Sequence, residues 1–520
     1  MININTLSRV PFKGALDGVL TNTLRTLDTN PMANAVGIDL FAMVAPRTYV
    51  DTKKRNKYAG AETFFREFTG TLIVCLSASW FAKLISHAAD KFTDPKTVIN
   101  PKSWYSDDGI DYLNTKWNKS KNTLSYVTNI LDDLSGREGK ITRHLKDADW
   151  QNIEWIDEKR WLKFNWDNDK FNNIHEKLKD KKSIISTLCE LIENKDITPS
   201  DSKKLMKIIE LRLTNVLKAD KVTAADNCKS VSASMHNLLR DMVEMGRDIF
   251  TNENVISQKA ISKILKINKV KSIGALSAAS LLGLTNQYIN RKITEKRTGK
   301  TGFVGDLDYQ NHVQKKPVDK SKSFWFQKLI ASAGMAALAI SVMKIKSPAD
   351  FLKKLEFTGP VTSGNVIKTV YASTLIGRFL ASDNNDELRE TITRDYLGFL
   401  NWLVLGGFAA KGTANLLDMK RQNLFNIFEK SKGIRHWLND ISLKSHNEIA
   451  ANGAEFAKRN MWKLNIAHLA GLAYSTLALG VMLPMLNIVI TKTKQKNKIR
   501  EPQFTFNTSF KQFIHNDKEP

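Results

Sequence analysis

Glu62 and Arg66 stand four residues apart, and the same spacing returns at Glu390 and Arg394. On a helix, an acid four residues before a base forms a pair worth about 0.2–0.5 kcal/mol. The alternative chemistry is anion capture, with Arg66 and Arg394 reaching a ligand or a lipid phosphate. Pairs at this spacing are common on helix surfaces, so structural pairing is the expected use. Trp150, Trp155, Trp161 and Trp166 crowd a short charged stretch and offer faces on which sugars, bases or cations could stack. Their spacings of 5, 6 and 5 fit no single helical face, so they are expected to anchor short segments to a small core.

Gly299-Lys300-Thr301 has the ending of a phosphate-binding loop, but Thr294 occupies the place of its first glycine and the preceding stretch is charged. The nine histidines are dispersed, without metal-ligand spacing beside a carboxylate on a helix. Cys75, Cys189 and Cys228 are odd in number and widely separated, which excludes a disulfide framework. No nucleophile elbow, dinucleotide loop or H-E-x-x-H occurs. The expectation is a protein without catalytic, cofactor-binding or metal-binding residues, and not an enzyme.

The elements carrying these residues repeat. Residues 62–90 align without a gap on 390–418, sharing Glu62/Glu390, Thr63/Thr391, Arg66/Arg394, Gly70/Gly398, Leu72/Leu400, Ala82/Ala410, Lys83/Lys411 and Asp90/Asp418. Residues 266–294 align likewise on 463–491, sharing Lys266/Lys463, Asn268/Asn465, Gly274/Gly471, Leu282/Leu479, Gly283/Gly480, Asn290/Asn487, Ile293/Ile490 and Thr294/Thr491. The modules occur in the order first, second, first, second, and each first module follows an apolar segment ending in Pro46-Arg47 or Gly377-Arg378. That order points to an internal duplication. Each copy is expected to bury its Leu72 or Leu400 face and to bring Gly274 or Gly471 against a neighbouring helix.

Leu464 to Ile490 carries no formal charge and is long enough as a helix to cross a hydrocarbon core of about 30 Å. Ala467, Gly471 and Ser475 line one side of it with small residues, a seam for a partner helix. Phe68–Ala82, Leu329–Met343, Tyr396–Ala410 and Ser272–Asn290 are shorter or more polar, and a mean hydropathy of -0.31 equally allows them to be soluble core. The N-terminal stretch has no apolar run of signal-peptide type. Basic residues from Lys492 to Arg500 place the C-terminal tail in the cytoplasm, although Lys458, Arg459 and Lys463 on the other side oppose this.

The net charge of +25 raises the possibility of nucleic acid, so its location matters. Residues 91–260 hold 29 basic against 27 acidic residues, leaving the excess beside the apolar segments. That placement suits anionic lipid headgroups, at about 1 kcal/mol per basic residue near the surface, and disfavours DNA. The balanced stretch reads as a soluble helical insertion that could carry a protein partner. Within it, Thr198-Pro199 starts a helix with Leu205, Ile208, Ile209, Leu213, Val216 and Leu217 on one stripe, and 183–193 is the expected antiparallel partner.

The expected architecture is all-α: a helical membrane-associated protein with two related helical halves and a soluble helical insertion. Its divisions are a first module at 1–93, the insertion at 94–257, the second module at 258–300, a basic linker at 301–322, a second half at 323–495 and a basic, aromatic tail at 496–520. The expected role is non-enzymatic binding or scaffolding at a lipid membrane. Two alternatives are a transporter on a duplicated unit and a soluble nucleic-acid binder. Against the transporter stands the absence of Asp, Glu or Arg deep within the strongest apolar segment.

Overall fold

Few prolines and long uncharged runs leave the backbone one economical way to satisfy its hydrogen bonds, and the computed structural model is predominantly helical. It describes residues 15–29, 31–92, 107–136, 180–225, 230–252, 257–300, 302–305, 318–343, 362–427 and 441–500, with Thr142, Trp150, Leu178 and Ser347. Trp155, Trp161, Trp166 and the tail beyond 500 lie outside the described residues.

After α1 (Ala15–Thr29), α2 runs as Pro31–Ile38, a π-helical stretch Asp39–Val44, and Ala45–Lys54. Helix α3 follows as Lys57–Leu72, a π stretch Ile73–Ser77, and Ala78–Phe92. The stretch read above as an insertion contributes α4 (Asp107–Lys119), α5 (Thr123–Asp133), β1 (Leu134–Ser135), α6 (Lys181–Glu193), α7 (Pro199–Leu217), β2 (Lys221–Ala225), β3 (Ser230–Ser234) and α8 (Met235–Met245). Helix α9 (Ser257–Thr298) is 42 residues long. Then come α10 (Lys322–Met343), α11 (Thr362–Ala381) and α12, formed by Asn385–Leu400, a π stretch Asn401–Leu405, and Gly406–Leu417. A hairpin of β4 (Phe425–Ile427) and β5 (Ile441–Leu443) and the short α13 (His446–Ala450) precede α14, formed by Ala454–Ser475, a π stretch Thr476–Met482, and Leu483–Arg500.

Helices α3 and α12 are built alike. Asn56 and Asn384 cap them by accepting the N–H groups of Ala59 and Glu387 at 2.8 and 2.9 Å. Each then runs 16 residues before a five-residue π stretch. The glycines of the second modules lie against them. A Cβ on Gly274 would meet Ile85 Cδ1 at 2.9 Å, and one on Gly471 would meet Ala410 Cβ at 3.1 Å. The helices preceding α3 and α12 cross over. Helix α11 packs on α9, where a Cβ on Gly377 would sit 2.4 Å from the Leu284 carbonyl oxygen. Helix α2 packs on α14, where a Cβ on Gly480 would sit 2.4 Å from the Ala42 carbonyl oxygen.

Among the described residues, three helices are long and apolar enough to cross a membrane: Lys57–Ala89, Lys322–Met343 and Ala454–Lys494. Leu72 does not face the core as expected; it is exposed, and Leu400 is only half-buried. Phe64, Phe68, Leu72, Leu76, Trp80 and Leu84 form an exposed stripe at every fourth residue of α3. The stripe is about 30 Å long, the thickness of a hydrocarbon core. The core faces Thr63, Arg66, Glu67, Gly70 and Val74 instead. In the first four turns of α3 it is the polar side that packs, while further along Ile73, Val74, Cys75 and Ala78 enter the core.

The insertion has its own core, with Trp150, Tyr126, Leu188, Ile208 and Met242 buried together. Ala260, Ile261 and Ile264 join this core, so α9 runs unbroken from the insertion into the helical body. Strands β1, β2 and β3 form a small antiparallel sheet in that order. Thr198 caps α7 through the N–H of Asp201 at 3.1 Å, as its sequence implies. The expected pairing of 183–193 with α7 does not dominate the packing: α6 lies chiefly on α5, and α7 on α8. Three short strands turn the chain between these helices, which a helix-only reading of the insertion could not place.

Burial of Asp241 in α8 raises its pKa to about 6, against the stabilising charge of Arg240. A carboxyl raised in the folded state binds its proton between about pH 4 and 6, where the unfolded chain has lost it, so its contribution to stability falls as pH rises through that window. Asp241→Asn is therefore expected to gain about 2 kcal/mol relative to wild type between pH 4.5 and pH 8. Chemical denaturation at the two pH values measures this difference, and parallel curves would reject the assignment.

Candidate functional site

The polar faces of α2, α3, α11 and α12 meet in a buried network of opposite charges. Glu67 Oε1 accepts from Arg47 Nη1 and from Arg66 Nη2, both at 3.3 Å, while its Oε2 accepts from Arg378 Nη2 at 3.3 Å. Arg378 Nη1 continues to Asp395 Oδ1 at 3.2 Å, and Arg394 Nε reaches the same oxygen at 2.8 Å. Two glycines leave room for the guanidinium groups: a Cβ on Gly70 would lie 3.5 Å from Arg378 Nη2, and one on Gly398 3.6 Å from Arg47 Nη2. Arg47 and Arg378 are 2 % and 3 % exposed, Glu67 6 % and Asp395 1 %, which places the chain of ion pairs out of bulk water.

Along α14 the network has depth. Arg47 Nε donates to the carbonyl oxygen of Leu479 at 2.8 Å, near the middle of the uncharged Leu464–Ile490 segment. At its other end, Thr491 Oγ1 donates to Glu390 Oε2 at 2.7 Å, and Arg55 Nη2 pairs with Glu390 Oε1 at 2.6 Å. Twelve residues of helix separate these levels, about 18 Å. Thr294, which aligns with Thr491, likewise stands beside Glu62. Arg291 pairs with Asp383 at 2.6 Å and with Glu387.

Between the levels lies a cavity of about 20 Å³, lined by Glu62, Thr63 and Arg66 from α3 and by Glu390, Thr391 and Arg394 from α12. It has room for about one water molecule. The deeper layer holds the guanidinium groups of Arg47, Arg66, Arg378 and Arg394 around Glu67 and Asp395, with buried Asp39 beside them. Arg47 Nη2, Arg378 Nε, Asp395 Oδ2 and Asp39 Oδ1 are buried without a hydrogen-bond partner. Such groups cost roughly 1–3 kcal/mol or more each when left unmatched, so a site rich in them is strained toward taking a polar occupant. Guanidinium groups suit carboxylate or phosphate oxygens.

The expected surface pairing of Glu62 with Arg66 and of Glu390 with Arg394 is replaced by burial. Arg66 turns to Glu67 and Arg394 to Asp395, one residue on, because the faces that carry them are packed inward. Asn290 and Asn487 are also buried, and Asn487 Nδ2 donates to the Glu390 carbonyl at 3.5 Å. Gly283 lies under Thr374 of α11. Lys83 is exposed, and Lys411 stands over the Phe408 ring at 5.9 Å. The uncharged Leu464–Ile490 segment does lack acids and arginines, but α2 supplies an arginine to its middle from elsewhere in the chain. Glu67 and Asp395 also stand at aligned positions, as a conservative match in charge; what marks them out in the sequence is an acid directly after each aligned arginine, with Arg47 preceding one segment and Arg378 the other.

Compared with protein-family models, with curated proteins and with solved structures, the chain has no match.

Proposed function

We propose that this is an integral membrane protein of two related halves, and that the charge network between them guards a path for a small anionic solute, as in a transporter. The observation that carries the reading is the hydrogen bond from Arg47 to the Leu479 carbonyl, which sets a charged group midway along the strongest apolar helix. Arginine at that depth is costly and is a functional marker in membrane proteins. Four guanidinium groups outnumber Glu67, Asp395 and Asp39 there, and Arg47 Nη2 and Arg378 Nε are left as unmatched donors for an anion, beside the unmatched acceptors Asp39 Oδ1 and Asp395 Oδ2.

Support for related halves comes from agreement among independent features. The two caps, the two π stretches at one distance from them, and the reciprocal pairs Gly70 with Arg378 and Gly398 with Arg47 all correspond. Duplicated halves that meet around a midplane site are a recurrent transporter plan. The exposed stripe on α3 and the basic flanks of the apolar helices support contact with lipid and its anionic headgroups. A scaffolding protein is the second reading, favoured by the small size of the cavity.

Both readings place the protein in the membrane fraction after alkaline carbonate washing, and recovery in the wash would remove both. To separate them, Thr391→Cys is made in a chain with Cys75, Cys189 and Cys228 replaced by serine, and the protein is reconstituted in vesicles. A transporter exposes this cavity-lining position to an impermeant maleimide as the halves rock, and inorganic phosphate or a short dicarboxylate slows the labelling. A rigid scaffold leaves the folded protein unlabelled.

A further inference from the structure

Far from the charge network, at the insertion end of α14, the fold assembles three side chains that the linear sequence keeps apart. Asp28 ends α1, His446 opens α13 and His468 lies one turn beyond Asn465 in α14. His446 Nδ1 lies 3.0 Å from Asp28 Oδ2, and one ligand atom from each of Asp28, His446 and His468 lies within 4.8 Å of the other two. The two imidazole rings are 5.2 Å apart between centroids. His446 Nε2 lies 3.0 Å from Asn465 Oδ1, while Asn465 Nδ2 donates to Thr21 Oγ1 at 2.8 Å. His468 Nε2 is buried and has no hydrogen-bond partner.

We propose that Asp28, His446 and His468 bind a divalent transition-metal ion of the zinc class. The hydrogen bond to Asn465 supplies the support a metal-bound imidazole needs. With Nε2–H directed at Asn465 Oδ1, Nδ1 is the atom left for the metal, which displaces the proton that Nδ1 otherwise shares with Asp28 Oδ2 at 3.0 Å. His468 adds a second imidazole whose Nε2 lone pair is unused, and Asp28 adds a carboxylate oxygen. Two imidazoles and a carboxylate are an established donor set for zinc, with the fourth tetrahedral position left to water.

Distance sets what must move. In a tetrahedral site with metal–ligand bonds of about 2.0–2.2 Å, ligand atoms stand about 3.4 Å apart. The Asp28–His446 edge is already near that value, so closing the site requires the edges within 4.8 Å to shorten by up to about 1.4 Å. Rotation of the His468 ring serves this, because no hydrogen bond holds its Nε2. Bound metal would then fasten α1 and α13 to the insertion end of α14. Asp28 Oδ2 also accepts the backbone N–H of His446 at 3.0 Å, which holds the acid in place before any metal arrives.

The test uses the full chain in detergent, without a polyhistidine tag, stripped with a chelator and titrated with cobalt(II). The expected result is one cobalt per chain with the strong visible absorption of a tetrahedral site, displaced by zinc. His468→Ala should lose the spectrum, and Asn465→Ala should weaken binding by about 10–100-fold. His87→Ala, at an exposed histidine, should change neither. Absence of a tetrahedral spectrum in wild type overturns the proposal, and so does a spectrum that survives in a folded His468→Ala protein. Should His468→Ala aggregate, His468→Gln and the wild-type spectrum decide in the same way.

Discussion

Glu67→Gln is expected to destabilise the protein by about 3–5 kcal/mol, because it removes the carboxylate that three buried arginines share. The amide keeps the shape and one acceptor, so packing is not the cause. What changes is that Arg47 and Arg378 lose a counter-charge in a place from which water is largely excluded. Arg378 retains Asp395 at 3.2 Å, and Arg47 retains only the Leu479 carbonyl among the contacts described above. The loss should therefore fall mainly on the seating of α2 against α14. Arg66→Gln, which leaves Glu67 two arginine partners, should cost less. A double-mutant cycle between Glu67→Gln and Arg47→Gln should return a coupling of about 1–3 kcal/mol. Thermal and chemical denaturation in detergent give these values, and a cost for Glu67→Gln below about 1 kcal/mol would mean that the network is as well solvated as a surface ion pair.

Gly377→Val and Gly480→Val are expected to prevent the two crossing helices from docking. In each, the first added atom already sits 2.4 Å from a backbone carbonyl oxygen, Leu284 in one case and Ala42 in the other. Backbone cannot rotate aside as a side chain can, so α11 must move away from α9, or α2 from α14. Overpacking of a tight core costs about 1–3 kcal/mol even where side chains can adjust, and these positions should lie at or beyond the top of that range. The comparison positions are Gly407 and Gly412 in α12, around which a Cβ would find open space. Gly407→Ala and Gly412→Ala should be neutral or gain up to about 1 kcal/mol from helix propensity. The yield of folded, detergent-soluble protein separates the two pairs, and equal behaviour would show that the helices do not approach as closely as described.

Much of this architecture is legible in the residues themselves. Helix is dictated wherever uncharged runs meet scarce proline, and the Thr198-Pro199 start of α7 follows from local capping chemistry. The alignment of 62–90 on 390–418 located two helices with matching caps and π stretches, although neither feature was written in the aligned residues alone. Small residues likewise marked Gly274 and Gly471 as crossing points, since close approach is what a missing side chain permits, whereas the equally tight positions Gly283 and Gly480 stood out only as aligned glycines.

Tertiary structure decided which side of each helix faces inward, and there sequence patterning misleads. Patterning alone places the apolar side of α3, with Leu72 on it, toward the core; instead Leu72 is exposed and the charged side carrying Arg66 and Glu67 is packed. Hydrophobic periodicity reports that a helix has two sides, but which one packs depends on whether its surroundings are water or hydrocarbon. The depth of the arginines was hidden for a related reason. Arg47 precedes an unremarkable helical turn in the chain, and only the crossing of α2 onto α14 carries it to the level of Leu479. Asp28, His446 and His468 belong to the same class: no local spacing relates an aspartate near the start of the chain to two histidines near its end. Their meeting is a product of three helices packing together, and ligand spacing along a sequence can report only sites built within one segment.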